Sequence, residues 1–545
     1  MSLTATRSAP LVPPVRILAG QGRFVRALVP LLAGALLALA LAPAFAWPLI
    51  FLCWPLLALS IEASAAGPRP VRAAALAGWL FGFGYFVAGL FWIGEAFLVD
   101  AERFAILLPV AVAGLPAGLA LFWGAAAGLA AWAGRTPAMR LAALWGALVL
   151  AEALRMRILT GFPWNLPAHV WAGSDPMMQT AALLGLDGLT AWTLGLALLP
   201  ALLLVAEASP ARRAAALLLP ALLLGAQAGF GYWRLPAGGA GAADPDAPVV
   251  RIVQPNIPQK MKWAPEQRRQ IFAQYLDATR GAGAPGFEGV DMVVWPESAL
   301  PFLLDRTPEA LEAIAATLGG AWLVTGQQRM EEGADDVRTF FNSVMSIAPD
   351  GRIAAVYDKA HLVPFGEYLP LQPLMEAIGI TQLTGIRGGF TPGGDRQGLL
   401  RAGSSQTLVA PLVCYEILFG GRIASGQDRP RAIVNVTNDA WFGTTTGPYQ
   451  HLAAARLRAV IEGLPVVRAA NTGVSALIDS HGRLRAAIPL ATAGARDVAL
   501  PPALPRPAGP AVAVPAALAA ALVVIGLAVL RGHQRRTSRR MQKHA

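Results

Sequence analysis

Residues 408–419, LVAPLVCYEILF, are the starting point for the second half of the chain, because they predict a core strand that ends on a cysteine. Aliphatic and β-branched residues up to Val413 are typical of a strand inside a sheet. Cys414, Tyr415 and Glu416 follow directly, so the pattern places a thiol at the end of a core strand. A free cysteine is more often a buried hydrophobic residue than a nucleophile. A catalytic role for Cys414 therefore needs support from other parts of the chain.

Two charged residues in similar positions give that support. Residues 290–297, VDMVVWPE, form a hydrophobic strand pattern that Pro296 ends, and Glu297 lies just beyond it. Residues 354–359, AAVYDK, form another strand pattern that ends on Lys359. Each charge taken alone is most often a solvated strand end. An attacking thiol needs a base, and the resulting oxyanion needs a hydrogen-bond donor. The set therefore predicts Glu297 as base and Lys359 as donor.

The order Glu, Lys, Cys resembles that of the carbon–nitrogen hydrolase, or nitrilase, superfamily. Certain segments narrow the resemblance to the apolipoprotein N-acyltransferase family. They are WPESALP (295–301), YDKAHLVPFGEYLP (357–370), CYE (414–416), NVTNDAWFG (435–443) and, in the apolar first half, LTGFPWN (159–165). The resemblance implies a nitrilase-like αββα sandwich, with Glu297 as general base, Lys359 as oxyanion stabiliser and Cys414 as nucleophile. Asn438 and Asp439 can equally be turn formers.

The resemblance also implies supporting or substrate-binding roles for four further residues. Glu367 would support the catalytic lysine and carboxylate, and Tyr415 and Glu416 would shape the site around the thiol. Trp263 matches a functionally important tryptophan of the family. From the residues alone, Glu367 can be a loop carboxylate and Glu416 part of a strand-end ion pair. Trp263 can be an ordinary packing aromatic.

The composition is that of an integral membrane protein. Of 545 residues, 55% are hydrophobic and 14% are charged, and the mean hydropathy is +0.50. Windows near the roughly 20 residues that cross a bilayer predict eight spans. They lie at about residues 25–43, 46–62, 73–95, 106–133, 138–156, 187–207, 213–231 and 510–530.

The positions of the arginines predict the orientation of these spans. The loops after spans two, four and six carry Arg69, Arg72, Arg135, Arg140, Arg212 and Arg213. A basic tail, residues 531–540, follows span eight. By the positive-inside rule these segments and the N-terminus are cytoplasmic, so the long segment before span eight lies outside the cytoplasm. In a Gram-negative cell that is the periplasm, and the resemblance implies a bacterial inner membrane protein. Arg103, Arg155 and Arg157 fall on the opposite side. The last two belong to the GFPW loop, where they contact lipid headgroups or anchor helix ends.

The same patterns divide the chain into domains. Residues 1–233 form a membrane domain of seven transmembrane helices, and residues 234–248 form a linker rich in Gly, Ala and Pro. Residues 249–505 alternate strand and helix patterns and form the nitrilase-like periplasmic domain. Residues 506–545 hold the last transmembrane helix and the basic cytoplasmic tail.

Several other functions receive little support. The two cysteines are far apart and give no disulfide framework, and six scattered histidines give no metal-ligand spacing. No cofactor is predicted, and the net charge of +11 belongs to the topology signals, so no nucleic-acid partner is expected. Residues 385–395 form a Gly-rich loop without a nucleotide-binding context. Residues 370–383 are unusually apolar, and either dip into the bilayer to gate lipid entry or pack on the sandwich.

A nitrilase-type thiol on a membrane domain is expected to act on lipids. The resemblance implies ping-pong transfer of an acyl chain from a phospholipid, phosphatidylethanolamine in the family, through a Cys414 thioester. The acceptor is then the α-amino group of the diacylglyceryl-cysteine at the N-terminus of an apolipoprotein. The alternatives are a membrane-tethered amide hydrolase and a transporter or scaffold with an inactive nitrilase domain. Few ionisable residues in the spans speak against a transporter.

Overall fold

The structure is a computed structural model that describes most of the chain. The described residues are 12–207, 209–236, 246–281, 289–333, 338–377, 382–383, 388–394, 398–403, 407–420, 423 and 428–544, with side chains up to residue 530.

The first half of the chain is helical because long apolar stretches satisfy their backbone hydrogen bonds within each helix. The helices are α1 (Pro13–Ala19), α2 (Arg23–Leu37), α3 (Ile50–Ala65), α4 (Pro70–Leu90), α5 (Gly94–Leu98), α6 (Ala101–Phe104), α7 (Leu108–Ala133), α8 (Pro137–Arg155), α9 (Asp175–Met178), α10 (Ala181–Leu198), α11 (Leu202–Val205) and α12 (Pro210–Arg234).

The eight predicted spans are confirmed within the described residues. Eight helical stretches are long and apolar enough to cross a membrane. They are Arg23–Ala40, Trp47–Ala65, Pro70–Leu98, Ala101–Ala133, Pro137–Arg155, Ala181–Val205, Pro210–Arg234 and Gly509–Leu530.

Small residues let the central helices α4 and α7 pack closely. A Cβ atom on Gly78 would lie 2.5 Å from the Cβ of Ala127, and one on Gly82 would lie 3.1 Å from the Cα of Ala120. Such close approach is how membrane helices associate without a hydrophobic driving force between them. These glycines therefore set the spacing of α4 and α7.

Two six-stranded sheets form the second domain. The strands are β1 (Val249–Gln254), β2 (Val290–Trp295), β3 (Trp322–Glu332), β4 (Arg338–Ile347), β5 (Ile353–Asp358), β6 (Leu400–Ala402), β7 (Thr407–Val413), β8 (Ala432–Val436), β9 (Val466–Ala469), β10 (Ser475–Ile478), β11 (Leu484–Ile488) and β12 (Gly494–Ala499). The order is β12-β1-β2-β3-β4-β5 in one sheet and β11-β10-β9-β8-β7-β6 in the other. Each sheet has a parallel centre, β1-β2-β3 or β7-β8-β9, flanked by antiparallel strands.

Helices cover both outer faces of the paired sheets. The remaining helices are α13 (Gln259–Lys262), α14 (Arg268–Arg280), α15 (Pro308–Leu318), α16 (Gln372–Ala377), α17 (Gly447–Glu462) and α18 (Gly509–His544). On α14, Ile271 and Tyr275 lie one turn apart and pack with α15 against the first sheet. On the second sheet α17 packs against β9. The predicted αββα sandwich is therefore confirmed.

Pro411 lies inside β7, although proline is normally confined to strand edges. It pairs with Val434 of β8 on one side. On the other side β6 pairs only with Thr407–Val409 among the strands that the structure describes. Proline has no N–H group to donate, and no described strand pairs with β7 at Pro411 on the β6 side, so no hydrogen bond between strands is lost there.

The sandwich is attached to the membrane domain through α17 and the turn after β7. Gln450 on α17 accepts hydrogen bonds from Trp164 Nε1 (2.8 Å) and Trp92 Nε1 (3.1 Å), and it donates to the carbonyl oxygen of Gly89. One hydrophobic core runs from the membrane helices into the space between the sheets. The membrane domain and the sandwich thus share one packed interface.

Arg155 shapes the membrane side of this interface. It is fully buried, pairs with Glu152 at 2.5 Å, and donates to the carbonyl oxygens of Phe162 and Trp164. The prediction that Arg155 contacts lipid headgroups or merely anchors a helix end is wrong, since the guanidinium is enclosed by protein. Arg157 pairs with Asp187 nearer the surface.

Some predicted segments lie wholly or partly outside the described residues. Most of the linker, residues 237–245, and parts of the Gly-rich loop are among them. Of the apolar segment 370–383, the structure describes residues 370–377, with α16, and residues 382–383. Leu371, just before α16, and Leu374 within it are exposed. The side chains of the basic tail are also outside the description.

Candidate active site

Three strands end at one edge of the sandwich and bring the predicted residues together. Lys359 directly follows β5, Cys414 directly follows β7, and Glu297 follows β2 by two residues. Strands β2 and β5 lie in the same sheet and run in the same direction, so Glu297 and Lys359 are at the same edge of that sheet. The side chains meet between the two sheets and are shielded from solvent, with exposed fractions of 7% for Glu297, 1% for Lys359 and 9% for Cys414. The reading of Glu297 and Lys359 as solvated charges does not hold.

Cys414 has an unusual backbone conformation. It begins a short 3-10 turn, residues Cys414–Leu418, and its φ is +49°. A non-glycine residue in this left-handed region costs about 1–3 kcal/mol, so the surrounding contacts must hold it there. Burial and the charge of Glu297 raise the pKa of the thiol, against the opposing effects of Lys359 and a hydrogen bond with Thr437. The thiol is therefore protonated near neutral pH and needs a base to become a nucleophile.

Glu297 has the contacts of a buried carboxylate. Its Oε1 accepts a hydrogen bond from Asn342 Nδ2 (2.8 Å), and its Oε2 accepts one from the backbone N–H of Asn438 (2.9 Å). Lys359 Nζ lies 3.9 Å from Oε1. Burial raises the pKa of Glu297, while Lys359 and the hydrogen bonds work against that rise. A carboxylate with a raised pKa is well suited to accept and return a proton.

Lys359 is held by a second carboxylate. Its Nζ forms an ion pair of 2.9 Å with Glu367 Oε2. Burial alone would lower the pKa of Lys359, but Glu367 and Glu297 outweigh it, so the pKa is raised. The lysine is therefore a fixed positive charge beside Cys414. Glu367 lies at the position that its predicted supporting role requires.

Asn342 links the two carboxylates, and the sequence patterns missed it. Its Nδ2 donates to both Glu297 Oε1 and Glu367 Oε1 at 2.8 Å, and its backbone carbonyl oxygen accepts from the Lys359 backbone N–H. An amide among the large hydrophobic residues of FFNSVM, residues 340–345, is the signal that could have found it.

Glu416 is a brace within the protein. Its carboxylate accepts hydrogen bonds from Tyr357 Oη and from the backbone N–H groups of Ala360, His361 and Val413. Burial raises its pKa, and these donors oppose the rise. The brace joins the residues around Lys359 to the residue before Cys414, so it fixes the lysine relative to the thiol. The ion-pair alternative for Glu416 does not hold among these contacts.

The side chain of Tyr415, next to the predicted triad of Glu297, Lys359 and Cys414, contacts the membrane domain. Its hydroxyl donates to the carbonyl oxygen of Gly161 (2.8 Å), and its ring stacks near Trp164. This contact joins the residue after Cys414 to the loop that Arg155 holds. Tyr415 therefore ties the turn that begins at Cys414 to the membrane domain.

Among the described residues, no contact joins Trp263 to Glu297, Lys359 or Cys414. It follows α13 and is 41% exposed. Its neighbour Lys262 is fully buried and donates to the Glu297 carbonyl oxygen at 3.1 Å. Burial lowers the pKa of Lys262 to about 8. The segment is thus anchored behind Glu297 by Lys262, while Trp263 stays at the surface.

Gly326 lets the Glu297 loop lie against β3. Its N–H donates to the carbonyl oxygen of Pro296, and its own carbonyl oxygen accepts from Ala299 N–H. A Cβ atom at this position would lie 2.5 Å from the Cα of Glu297 and 2.9 Å from the Pro296 oxygen. Both are backbone atoms, so no side-chain rotation can relieve the contact.

Gly326→Ala is therefore expected to displace Glu297 and to slow covalent modification of Cys414 by substrate by about 10²-fold. The measurement is the rate of acyl-enzyme formation by intact mass. The control is Gly398→Ala, where a Cβ atom would meet nothing within 4 Å. Equal rates for the two variants would contradict the argument.

Within the described residues, no group of three or more His, Cys, Asp or Glu side chains is arranged to hold a metal ion. The side chains of Cys414, Glu297 and Lys359 bring a thiol, a carboxylate and an ammonium group into the site. A buried base beside a thiol can form a thiolate, and a buried cation can stabilise an oxyanion.

Comparisons with known proteins agree with this architecture. Residues 249–506 match the carbon–nitrogen hydrolase family, and residues 33–199 match the apolipoprotein N-acyltransferase N-terminal domain. The apolipoprotein N-acyltransferase of Rhodopseudomonas palustris is 44% identical over 516 residues, 93% of this chain and 95% of that protein. The one from Bradyrhizobium diazoefficiens is 43% identical over 529 residues, 94% of this chain and 96% of that protein. A carbon–nitrogen hydrolase superfamily structure from Xanthomonas campestris is 20% identical with a TM-score of 0.34, and the match covers 47% of this chain and 90% of that chain.

A membrane domain joined to a sandwich of this kind defines a membrane-bound enzyme of the carbon–nitrogen hydrolase superfamily. More narrowly, the chain belongs to the apolipoprotein N-acyltransferase family. It is an acyltransferase and a bacterial membrane protein.

Proposed function

We propose that the chain moves an acyl chain from a phospholipid, such as phosphatidylethanolamine, through a Cys414 thioester to an apolipoprotein. The acceptor is the α-amino group of the N-terminal diacylglyceryl-cysteine. One observation carries the proposal: the Cys414 thiol is buried beside Glu297 and Lys359 in a turn that Tyr415 ties to the membrane domain. Both lipid substrates are confined to the bilayer, so a site attached to the membrane domain suits them.

The first half-reaction uses the three side chains in sequence. Glu297 takes the proton from the Cys414 thiol, and the thiolate attacks the ester carbonyl of the phospholipid. The Lys359 ammonium group stabilises the oxyanion that forms. When the tetrahedral intermediate collapses, the C–O bond breaks and Glu297 returns the proton to the departing glycerol oxygen. A lysophospholipid leaves and a thioester remains on Cys414.

The second half-reaction reverses the roles. The neutral amine of the acceptor attacks the thioester carbonyl, and Glu297 takes a proton from its nitrogen. The C–S bond breaks, and the same proton returns to Cys414. An amide is more stable than a thioester, so this step gives the reaction its direction. Buried surroundings limit competition by water.

The orientation of the membrane domain supports a periplasmic site in the inner membrane. The Arg155 end of α8 holds the loop that contacts the sandwich, so the Pro137 end lies on the opposite side. That opposite side carries Arg135 and Arg140, the positive charges expected at the cytoplasm. The sandwich then lies in the periplasm.

Cys414→Ala is expected to abolish the acyl adduct. Purified wild type incubated with phosphatidylethanolamine alone should gain the mass of one acyl chain, and hydroxylamine should remove it. Cys53→Ala, which changes a cysteine buried in α3, serves as the matched control and should form the adduct like wild type. An adduct on Cys414→Ala would refute the proposal. Release of free fatty acid without transfer to a diacylglyceryl peptide would indicate a hydrolase.

A further inference from the structure

A buried polar network contacts the backbone carbonyl of Cys414. His451 on α17 is fully buried, and its Nε2 lies 3.2 Å from the carbonyl oxygen of Cys414. Asn435 Nδ2 lies 3.4 Å from the same oxygen. The proposed reaction uses neither residue.

The partners of His451 fix which ring nitrogen carries a proton. A carbonyl oxygen can only accept, so Nε2 must donate to Cys414. Nδ1 lies 3.0 Å from an Arg468 nitrogen, which can only donate, and 2.9 Å from Asp439 Oδ1. Burial and Arg468 lower the pKa of His451, which favours a neutral ring whose Nδ1 accepts from Arg468. In either charge state, Nε2–H points at the Cys414 carbonyl.

Buried hydrogen bonds hold the side chains of this network together. Arg468 is fully buried, donates to Asp439 Oδ2 at 2.6 Å and to Asn435 Oδ1 at 2.5 Å, and so joins β9 to the residues around β8. Thr437 donates to Asp439 Oδ1 at 3.1 Å. Asp439 therefore belongs to this network, and a turn-forming role alone does not describe it.

Helix α17 places two consecutive residues on two different partners. His451 contacts the carbonyl of Cys414, and Gln450 binds Trp92 and Trp164 of the membrane domain. The rings of Trp164 and His451 also lie 5.3 Å apart. The left-handed φ of Cys414 needs support from its carbonyl side, and these contacts provide it.

We propose that His451 is a positioning residue that holds Cys414 in its reactive conformation, and that α17 makes this position depend on the membrane domain through Gln450. The inference rests on the proposed role of Cys414 as nucleophile. Its chemical basis is one hydrogen bond from Nε2–H to the carbonyl of the residue that attacks.

The test compares His451→Gln with His451→Asn in full-length protein. The amide nitrogen of Gln stands the same number of bonds from Cβ as Nε2, whereas that of Asn stands where Nδ1 does. His451→Asn should lower kcat for acyl-enzyme formation by about 10²-fold with little change in the KM for phospholipid, and His451→Gln should restore most of it. Glu462→Gln, on the same helix, changes a side chain that pairs with Arg458, and it is the control for general damage to α17.

A double-mutant cycle tests the link to the membrane domain. Gln450→Leu should lower kcat by itself. Its effect should not add to that of His451→Asn, since both substitutions weaken the contacts that hold the turn at Cys414. Equal loss in the Gln and Asn variants, or a change in KM alone, would overturn the positioning role. Additive effects would overturn the link through α17. An active Cys414→Ala would instead refute the proposed function, so the two failures are distinguishable.

Discussion

Glu297→Gln is expected to lower the rate of acyl-enzyme formation by about 10²–10⁴-fold, the usual contribution of a positioned base. The substitution keeps the size of the side chain and an oxygen for Asn342, but it removes the proton acceptor beside a thiol whose pKa is raised. Because Glu297 is proposed to serve both half-reactions, thioester breakdown by an amine should slow as well. The measurement is the time course of the Cys414 adduct by intact mass.

The pH dependence gives this prediction a second readout. Burial raises the pKa of Glu297, so the wild-type rate should fall on acidification at a higher pH than the ordinary value of about 4.3 for glutamate. In Glu297→Gln this fall of the rate at acidic pH should be absent. Loss of the negative charge also lowers the pKa of Cys414 relative to wild type, so the residual rate should climb with rising pH as thiolate forms. Glu309→Gln, an exposed change on α15, is the control. A variant within about threefold of wild type would exclude Glu297 as the base.

Arg155→Met is expected to destabilise the protein by about 3–5 kcal/mol, because removal of one partner leaves a buried charge on Glu152 uncompensated. The substitution also removes the donors to Phe162 and Trp164, and so loosens the loop that receives Tyr415. The free energy of unfolding in mixed detergent micelles measures the first effect. Acyl-enzyme formation at saturating lipid measures the second.

Arg157→Met is the matched control for this change. Arg157 lies two residues away and pairs with Asp187, but its side chain is half exposed, so its loss should cost no more than about 1 kcal/mol. The double variant Arg155→Met with Glu152→Gln should be more stable than Arg155→Met alone, since no unpaired charge remains. Equal losses for the Arg155 and Arg157 variants would contradict the buried ion pair.

Much of the architecture could be predicted from local patterns. Eight apolar stretches of the right length gave the spans, since hydropathy needs no knowledge of neighbours in space. Strand patterns that end at Pro296, Asp358 and Val413 gave the positions of the predicted triad residues, and the structure places these ends together. The roles of Glu297, Lys359 and Cys414 remain predictions. The family itself was recognised from short motifs and is confirmed by relatives over most of the chain.

Long-range contacts could not be predicted in the same way. Asn342, His451 and Arg155 resemble ordinary polar residues within a strand or a helix. Their importance comes from partners that the chain brings close only on folding: Glu297 for Asn342, the Cys414 carbonyl for His451, and the Phe162–Trp164 loop for Arg155. The expected headgroup contact of Arg155 was wrong for this reason, because charge and position along a helix do not show what encloses the end of that helix.

The sequence by itself thus determined which segments cross the membrane, which form strands, and which three strand ends carry a glutamate, a lysine and a cysteine. Those properties follow from hydrophobicity and periodicity over a few neighbouring residues. The tertiary structure decided the burial of the triad, the left-handed turn at Cys414, the brace of Glu416 and the attachment of the site to the membrane domain. Hydrogen bonds and desolvation depend on distances of a few ångströms between residues that lie far apart in the chain, and no local pattern specifies them.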